Sequence, residues 1–135
     1  MKLFVYGTLK SGYGNNYLLR DSTKIGDGIT KKGYVLFQCG FPKAVPFHQV
    51  PPEIVLDFDI LPVMGEVWEV SEKDLHSIDR LEGHPNWYER KIVTILVNNE
   101  ETEAWIYEMP EWQTHTPVCS IQVVGGRPGY VWNRG

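Results

Sequence analysis

Ser71–Arg90 reads SEKDLHSIDRLEGHPNWYER and sets the one clear helix in a chain otherwise rich in strand signals. Ser71 offers a hydroxyl to cap free N–H groups, and Glu72 and Asp74 place acids at the positive end of the helix dipole. Gly83 and then Pro85 read as the stop, since glycine accepts a left-handed cap and proline cannot continue a helix. Leu75, Ile78 and Leu81 recur at helical spacing and define the face expected to be buried. At ~100° per residue Glu82 falls about 20° from Leu75, on that stripe. Asp79 lies near the stripe's edge, and Arg80 points to water. The helix thus directs a carboxylate inward at its own C-terminal end. Burial favours the neutral acid and the negative end of the dipole acts the same way, so the Glu82 pKa is expected to rise. A glutamate so placed is a candidate general acid/base. The plain alternative is a frayed last turn that lets Glu82 reach solvent or a lysine, because Glu is seldom buried without a partner.

The length of 135 residues suits one domain spanning 1–135, with about 111–135 read as a C-terminal extension. A hydrophobic content of 42%, with 13% aromatic, is enough for a sizeable core. The formal net charge of -4 and pI near 5.5 argue against nucleic acid or an anionic membrane as the main partner. No apolar run approaches the ~18 residues of a spanning helix. The apolar run of Met1–Gly7 is too short for a signal-peptide core and reads as a strand. Cys39 and Cys119 lie far apart without C-x-x-C spacing, so reduced thiols in a cytoplasmic protein are expected, with a bridge left open.

Leu3–Tyr6 is apolar on both faces and ends at Gly7, as an internal strand does. The stretch that follows, GTLKSGYG over residues 7–14, is a glycine-rich loop of the kind that brings backbone N–H groups close to an anion. It fits neither the P-loop nor the G-x-G-x-x-G frame, and a plain surface turn stays open. Asn15 and Asn16 are positioned to cap a short helix through Tyr17–Leu19. Residues 24–38, interrupted by glycines, read as one long bent strand or two. Residues 41–46 are a short extended piece, 50–62 an irregular connection, and 63–70 a strand running into the helix cap. RKIVTILV (90–97) and TEAWIY (102–107) flank a polar turn at 98–101 and form a hairpin. Ser120–Val124 is a candidate strand broken by Gly125–Gly129, after which Tyr130, Val131 and Trp132 are apolar enough to pack back on the domain. Many strands with one helix indicate an α+β fold, a small mainly antiparallel β-barrel.

Metal binding has little support: His48, His76, His84 and His115 fall in different elements, without an H-x-x-H or H-x-x-x-H pair. His76 and His84 read as solvated. No G-x-S-x-G elbow backs a serine triad, and Cys39 reads as a small core residue. Glu66 and Glu69 alternate along a strand and are expected on opposite faces. What remains is the glycine loop after the first strand and an inward Glu82.

Those two features carry a resemblance. Tyr6-Gly7-Thr8-Leu9-Lys10 resembles the Y-G-[ST]-L loop of the gamma-glutamylcyclotransferase-like superfamily. Leu81-Glu82-Gly83, then Pro85, Tyr88 and Arg90, is similar to the second block of the gamma-glutamylamine cyclotransferase branch. The spacing between blocks and the strand at Trp105-Ile106-Tyr107 also fit, so the likeness spans roughly residues 2–110.

The resemblance implies the fold of that family and a cofactor-free intramolecular reaction on a small γ-glutamyl substrate. The α-amino group of a γ-glutamyl amine or amino acid attacks its own γ-carbonyl, giving 5-oxoproline and a free amine. It assigns Glu82 the proton transfers as catalytic base and then acid. It assigns Gly7, Thr8 and Leu9 the backbone contacts to substrate, with Gly7 leaving the ligand an open approach. Tyr6, Tyr88 and Tyr107 are candidate cavity walls, each equally readable as ordinary core. Arg90 reads as a structural partner for a nearby acid, and Lys10 as solvated. The chain departs from the family at Gly125–Tyr130, where a Gly-Asp-Trp-like segment often packs near the pocket, and that departure bears on the substrate's side group. A non-catalytic binding or interaction module keeping the fold is the runner-up, and a γ-glutamyl or amide hydrolase a third reading. The sequence does not indicate the oligomeric state.

Overall fold

The computed structural model describes residues 1–38, 42–52, 60–109, 116–117, 121–124 and 127–132. Cys39, Cys119 and His115 lie outside them, as does most of the expected irregular connection. In the first half of the chain come β1 (Lys2–Val5), a 3₁₀ turn (Asn16–Leu19), β2 (Thr23–Thr30), β3 (Tyr34–Gln38) and β4 (Pro42–Pro46). After a second 3₁₀ turn (Phe47–Gln49) come β5 (Met64–Glu69), α1 (Glu72–Glu82), β6 (Glu89–Val97) and β7 (Glu100–Glu108). Three short strands follow: β8 (Thr116–Pro117), β9 (Ile121–Val124) and β10 (Arg127–Tyr130).

Five of these strands close a barrel in the order β1-β5-β2-β6-β7. Its pairings are antiparallel except at the seam, where β1 meets β7 in parallel through Leu3↔Trp105 and Phe4↔Ile106. Closure removes the exposed sheet edges that an open arrangement would leave. The β6–β7 hairpin turns on Asn98 and Asn99, whose φ values of 52° and 66° are those of a type I′ turn. This turn is tighter than the four residues expected, because Glu100 and Glu101 already pair with Val97 and Leu96.

Residues 24–38 are two strands in different sheets. β2 enters the barrel, and β3 is the centre of a sheet ordered β4-β3-β8. Pro42 and Pro46 stand at the two ends of β4, an edge strand where a missing N–H is tolerated. The glycine stretch at 125–129 does not end the sheet structure: β10 resumes at Arg127 and pairs antiparallel with β9. Tyr130, Val131 and Trp132 pack back as expected and are buried.

Side chains alternate along β1, and the core divides accordingly. Leu3 and Val5 join Val70, Leu75 and Ile78 in the cluster beneath α1. Phe4 joins Val67, Ile95 and Ile106, drawn from four barrel strands, in the second cluster.

Helix α1 begins and ends on the residues that its sequence marks. Ser71 Oγ accepts the Asp74 N–H at 3.1 Å, and Gly83 closes the helix at φ 65°. Leu75 and Ile78 are buried, but Leu81 is 42% exposed, contrary to expectation. The last turn overhangs a cavity instead of the core, so the buried stripe stops one turn early. Ser71→Ala is expected to cost about 1 kcal/mol in a denaturant titration, because the Asp74 N–H loses its partner.

Candidate active site

Strand β1 runs straight into the glycine loop, and the loop is fixed by its carbonyls and side chains. Gly7 carbonyl accepts the Lys10 N–H at 3.1 Å, and Thr8 carbonyl accepts the Asn15 N–H at 3.0 Å. The Asn15 amide donates to Thr8 Oγ1 at 2.8 Å and the Asn16 amide to the Leu9 carbonyl at 2.8 Å. Asn15 makes no side-chain cap on the 3₁₀ turn that follows, so its expected capping role is replaced by one in bracing the loop. Behind the loop, Glu66 Oε1 accepts the Ser11 N–H and hydroxyl at 2.9 and 3.1 Å. Glu66 is buried and Glu69 exposed, on the opposite faces that alternation requires.

Lys10 departs from its expected solvated position. It is buried, donates to the Trp132 carbonyl at 2.6 Å and lies 5.1 Å over the Tyr13 ring. Burial pushes its pKa down, against the opposing pull of Glu66 and Asp27. The C-terminal residues are thereby tied to the loop from behind.

The loop and the end of α1 meet across a cavity of about 250 Å³, close to the ~300 Å³ lower bound for small-molecule sites. Tyr6, Gly7, Thr8, Leu9, Tyr88 and Tyr107 all line it together with Glu82. Phe4, Val5, Asn15, Pro42, Leu81 and Trp87 also line it. The sequence reading did not place Asn15 or Pro42 at the site: it took Asn15 as a helix cap and Pro42 as part of an extended piece.

Among the described residues, Glu82 is the one charged side chain lining this cavity, and its carboxyl has no hydrogen-bond or ion-pair partner. Burial pushes its pKa up to about 7. At the helix end the Asp79 and Arg80 carbonyls accept the N–H groups of His84 and Gly83. The charge of Glu82 in turn helps raise the pKa of both Tyr6 and Tyr107, after the larger effect of their own burial.

The tyrosine hydroxyls are held in place by the protein. Tyr6 donates to the Tyr107 carbonyl at 2.6 Å and accepts the Ala44 N–H at 3.2 Å. Tyr88 donates to the Pro42 carbonyl at 2.8 Å. Tyr107 donates to Asp79 Oδ1 at 2.5 Å. Arg90 clamps the same carboxylate through Nε at 2.8 Å and Nη2 at 3.1 Å, the structural pairing read from the sequence. His84, expected in solvent, is half-buried, and its Nδ1 accepts the Arg90 N–H at 3.1 Å. Among the described residues no group of three His, Cys, Asp or Glu converges as a metal site. No described helix is long and apolar enough to cross a membrane.

A small barrel whose helix delivers a carboxyl, unpaired among the described residues, to a partly open cavity opposite a braced loop has the form of a small-molecule site. The chain belongs to the gamma-glutamyl cyclotransferase, AIG2-like family, whose model matches residues 3–123. A putative gamma-glutamylcyclotransferase of Methanocaldococcus jannaschii is 40% identical over 126 residues, covering 92% of each chain. The gamma-glutamylaminecyclotransferase of Bos taurus is 30% identical over 142 residues, covering 97% of this chain and 80% of the relative. In three dimensions the chain is similar to a mouse AIG2-like protein, with a TM-score of 0.67 at 24% identity, over 98% of this chain and 97% of the other.

Proposed function

We propose that the protein is a cyclotransferase that converts a γ-glutamyl amine or γ-glutamyl amino acid to 5-oxoproline and the free amine, with Glu82 as general base and then general acid. The observation that carries this reading is the unpaired Glu82 carboxyl in the cavity, with a pKa pushed up to about 7 by burial. As a carboxylate it takes a proton from the substrate's α-ammonium. The freed amine attacks the γ-carbonyl carbon, closing the five-membered ring. The protonated Glu82 then gives its proton to the departing nitrogen as the original amide bond breaks, and the restored carboxylate takes the second hydrogen from the ring nitrogen and passes it to the released amine, which leaves as its ammonium. A pKa near neutrality suits both steps, since neither protonation state is strongly favoured.

The loop supplies the complementary polarity. The N–H groups of Thr8 and Leu9 donate to no group among the described residues, while the carbonyls of Gly7, Thr8 and Leu9 are occupied. They are therefore available to a substrate oxygen, where charge develops as the γ-carbonyl is attacked. The cavity walls hold the substrate folded, which is the main requirement of an intramolecular reaction.

The test is 5-oxoproline release from a panel of γ-glutamyl amines, γ-glutamyl amino acids and glutathione, with no added cofactor. Release from at least one class is expected. A folded protein that releases it from none, yet shows a thermal shift with one of them, is instead a binding module.

A further inference from the structure

The three cavity tyrosines share a property that their positions alone do not require: each hydroxyl proton is committed to a protein acceptor. Tyr6 gives its proton to the Tyr107 carbonyl, Tyr88 to the Pro42 carbonyl and Tyr107 to Asp79. None of the three therefore has an O–H left to offer a ligand, and the Tyr107 oxygen still has lone pairs to accept with. Of the three, Tyr6 already accepts the Ala44 N–H. Tyr107 and Glu82 line the same cavity.

The group behind Tyr107 is built to keep this polarity. Burial alone would raise the Asp79 pKa, but hydrogen bonds from Arg90 and Tyr107 outweigh it and hold the carboxyl below the ordinary range. Arg90 is fixed in turn by stacking 4.4 Å over the Trp105 ring and by its backbone N–H on His84. Asp79 and Glu82 are one helical turn apart on α1, so the helix that presents Glu82 also sets the hydroxyl of Tyr107.

We propose that Asp79, clamped by Arg90, is a positioning residue that accepts the hydrogen bond of the Tyr107 hydroxyl, so that the Tyr107 oxygen in turn accepts a hydrogen bond from the α-ammonium of the substrate and holds it beside Glu82. The assignment rests on the γ-glutamyl reading of the same cavity and extends it. It orients the substrate, with its cationic end at Tyr107 and Glu82 and its oxygens at the Thr8–Leu9 backbone. Such an end discriminates by charge, since a ligand lacking the amino group has nothing to donate to Tyr107.

The experiment compares two ligands, an L-glutamic acid γ-alkylamide and the glutaric acid monoalkylamide that lacks only its α-amino group. Binding is measured by calorimetry in Glu82→Gln, so that neither ligand is consumed. This parent is expected to prefer the amino ligand. Adding Tyr107→Phe should weaken the amino ligand about tenfold or more, as loss of a hydrogen bond to a charged group does, and change the des-amino ligand less than about threefold. Asp79→Asn should weaken the amino ligand in the same selective way, by a smaller factor, because an uncharged partner polarises the phenol less. Combined with Tyr107→Phe it should add little, the mark of two groups acting through one contact. Retained des-amino binding shows that each variant is folded. Equal losses on both ligands, or full additivity of the two substitutions, would overturn the assignment and leave the cyclotransferase reading standing. A parent that binds neither ligand would overturn both.

Discussion

Glu82→Gln is expected to lower 5-oxoproline release by about 10²–10⁴-fold, the usual worth of a positioned proton-transfer group, and to leave the fold intact. Glutamine fills the same space and keeps the hydrogen-bonding outline, but it cannot accept and return a proton. The same substitution is expected to stabilise the protein at alkaline pH. The folded-state pKa of Glu82 is about 7 against an ordinary 4.5, so the native state holds a proton that the unfolded chain has already released. Stability therefore falls as pH rises from about 4.5 to about 7, and above that the whole penalty is present. Discounted for a half-buried side chain, the penalty is about 1–3 kcal/mol at pH 8. Glu82→Gln escapes it. Denaturant midpoints should favour the variant at pH 8 and converge with the wild type near pH 4. A variant that keeps full turnover would remove Glu82 from the mechanism, whatever its stability.

The same ionisation fixes the pH dependence of the reaction. Glu82 must enter as the carboxylate, so kcat/KM should rise about tenfold per pH unit on the acid side and level off near pH 7. Ordinary exposed carboxylates titrate well below that range and cannot mimic the limb. A single acid limb near 4.5 would place Glu82 in solvent in the working enzyme.

How much of this was legible depended on whether the deciding contact was local. The bounds of α1 and the direction of Glu82 follow from a cap, a glycine stop and the angle per residue, all within Ser71–Gly83, and the structure keeps them. Leu81 obeyed the same periodicity but not the same environment, since periodicity locates a face without saying where the packing partner ends. The long-range contacts were out of reach. The parallel seam of β1 and β7 joins residues about a hundred positions apart, and no pattern in either run encodes that register. Lys10 reads as solvated in any local window, and only its carbonyl partner at Trp132 explains its burial. Asn15 resembled a helix cap because Asn serves caps and loop braces through one amide. The family likeness compensated where the physics did not reach, since it drew Tyr6–Leu9, Tyr88 and Tyr107 toward Glu82 before any geometry did.

Gly7→Ala is expected to disable the site by a route other than the one its sequence implies. The sequence reading is that a side chain at position 7 obstructs the ligand. In the structure a Cβ there would meet Pro42 Cγ at 2.6 Å and Cδ at 3.3 Å, contacts that force something to move. Both possible movers belong to the cavity. If the loop retreats, the Thr8 and Leu9 N–H groups go with it. If the rigid proline ring retreats, it moves the carbonyl that holds the Tyr88 hydroxyl at 2.8 Å. A misplacement of about 1 Å is enough to cost about 10²-fold in kcat/KM, and the overpacking should cost about 1–3 kcal/mol of stability. Gly14→Ala, in the same loop with nothing within 4 Å of its Cβ, should change neither quantity appreciably. The two accounts of Gly7 separate on a second substitution. Pro42→Ala removes the atoms in conflict, so Gly7→Ala combined with Pro42→Ala should recover stability relative to Gly7→Ala alone. Obstruction of the ligand by itself predicts lost turnover at unchanged stability, with nothing for a smaller residue at 42 to restore.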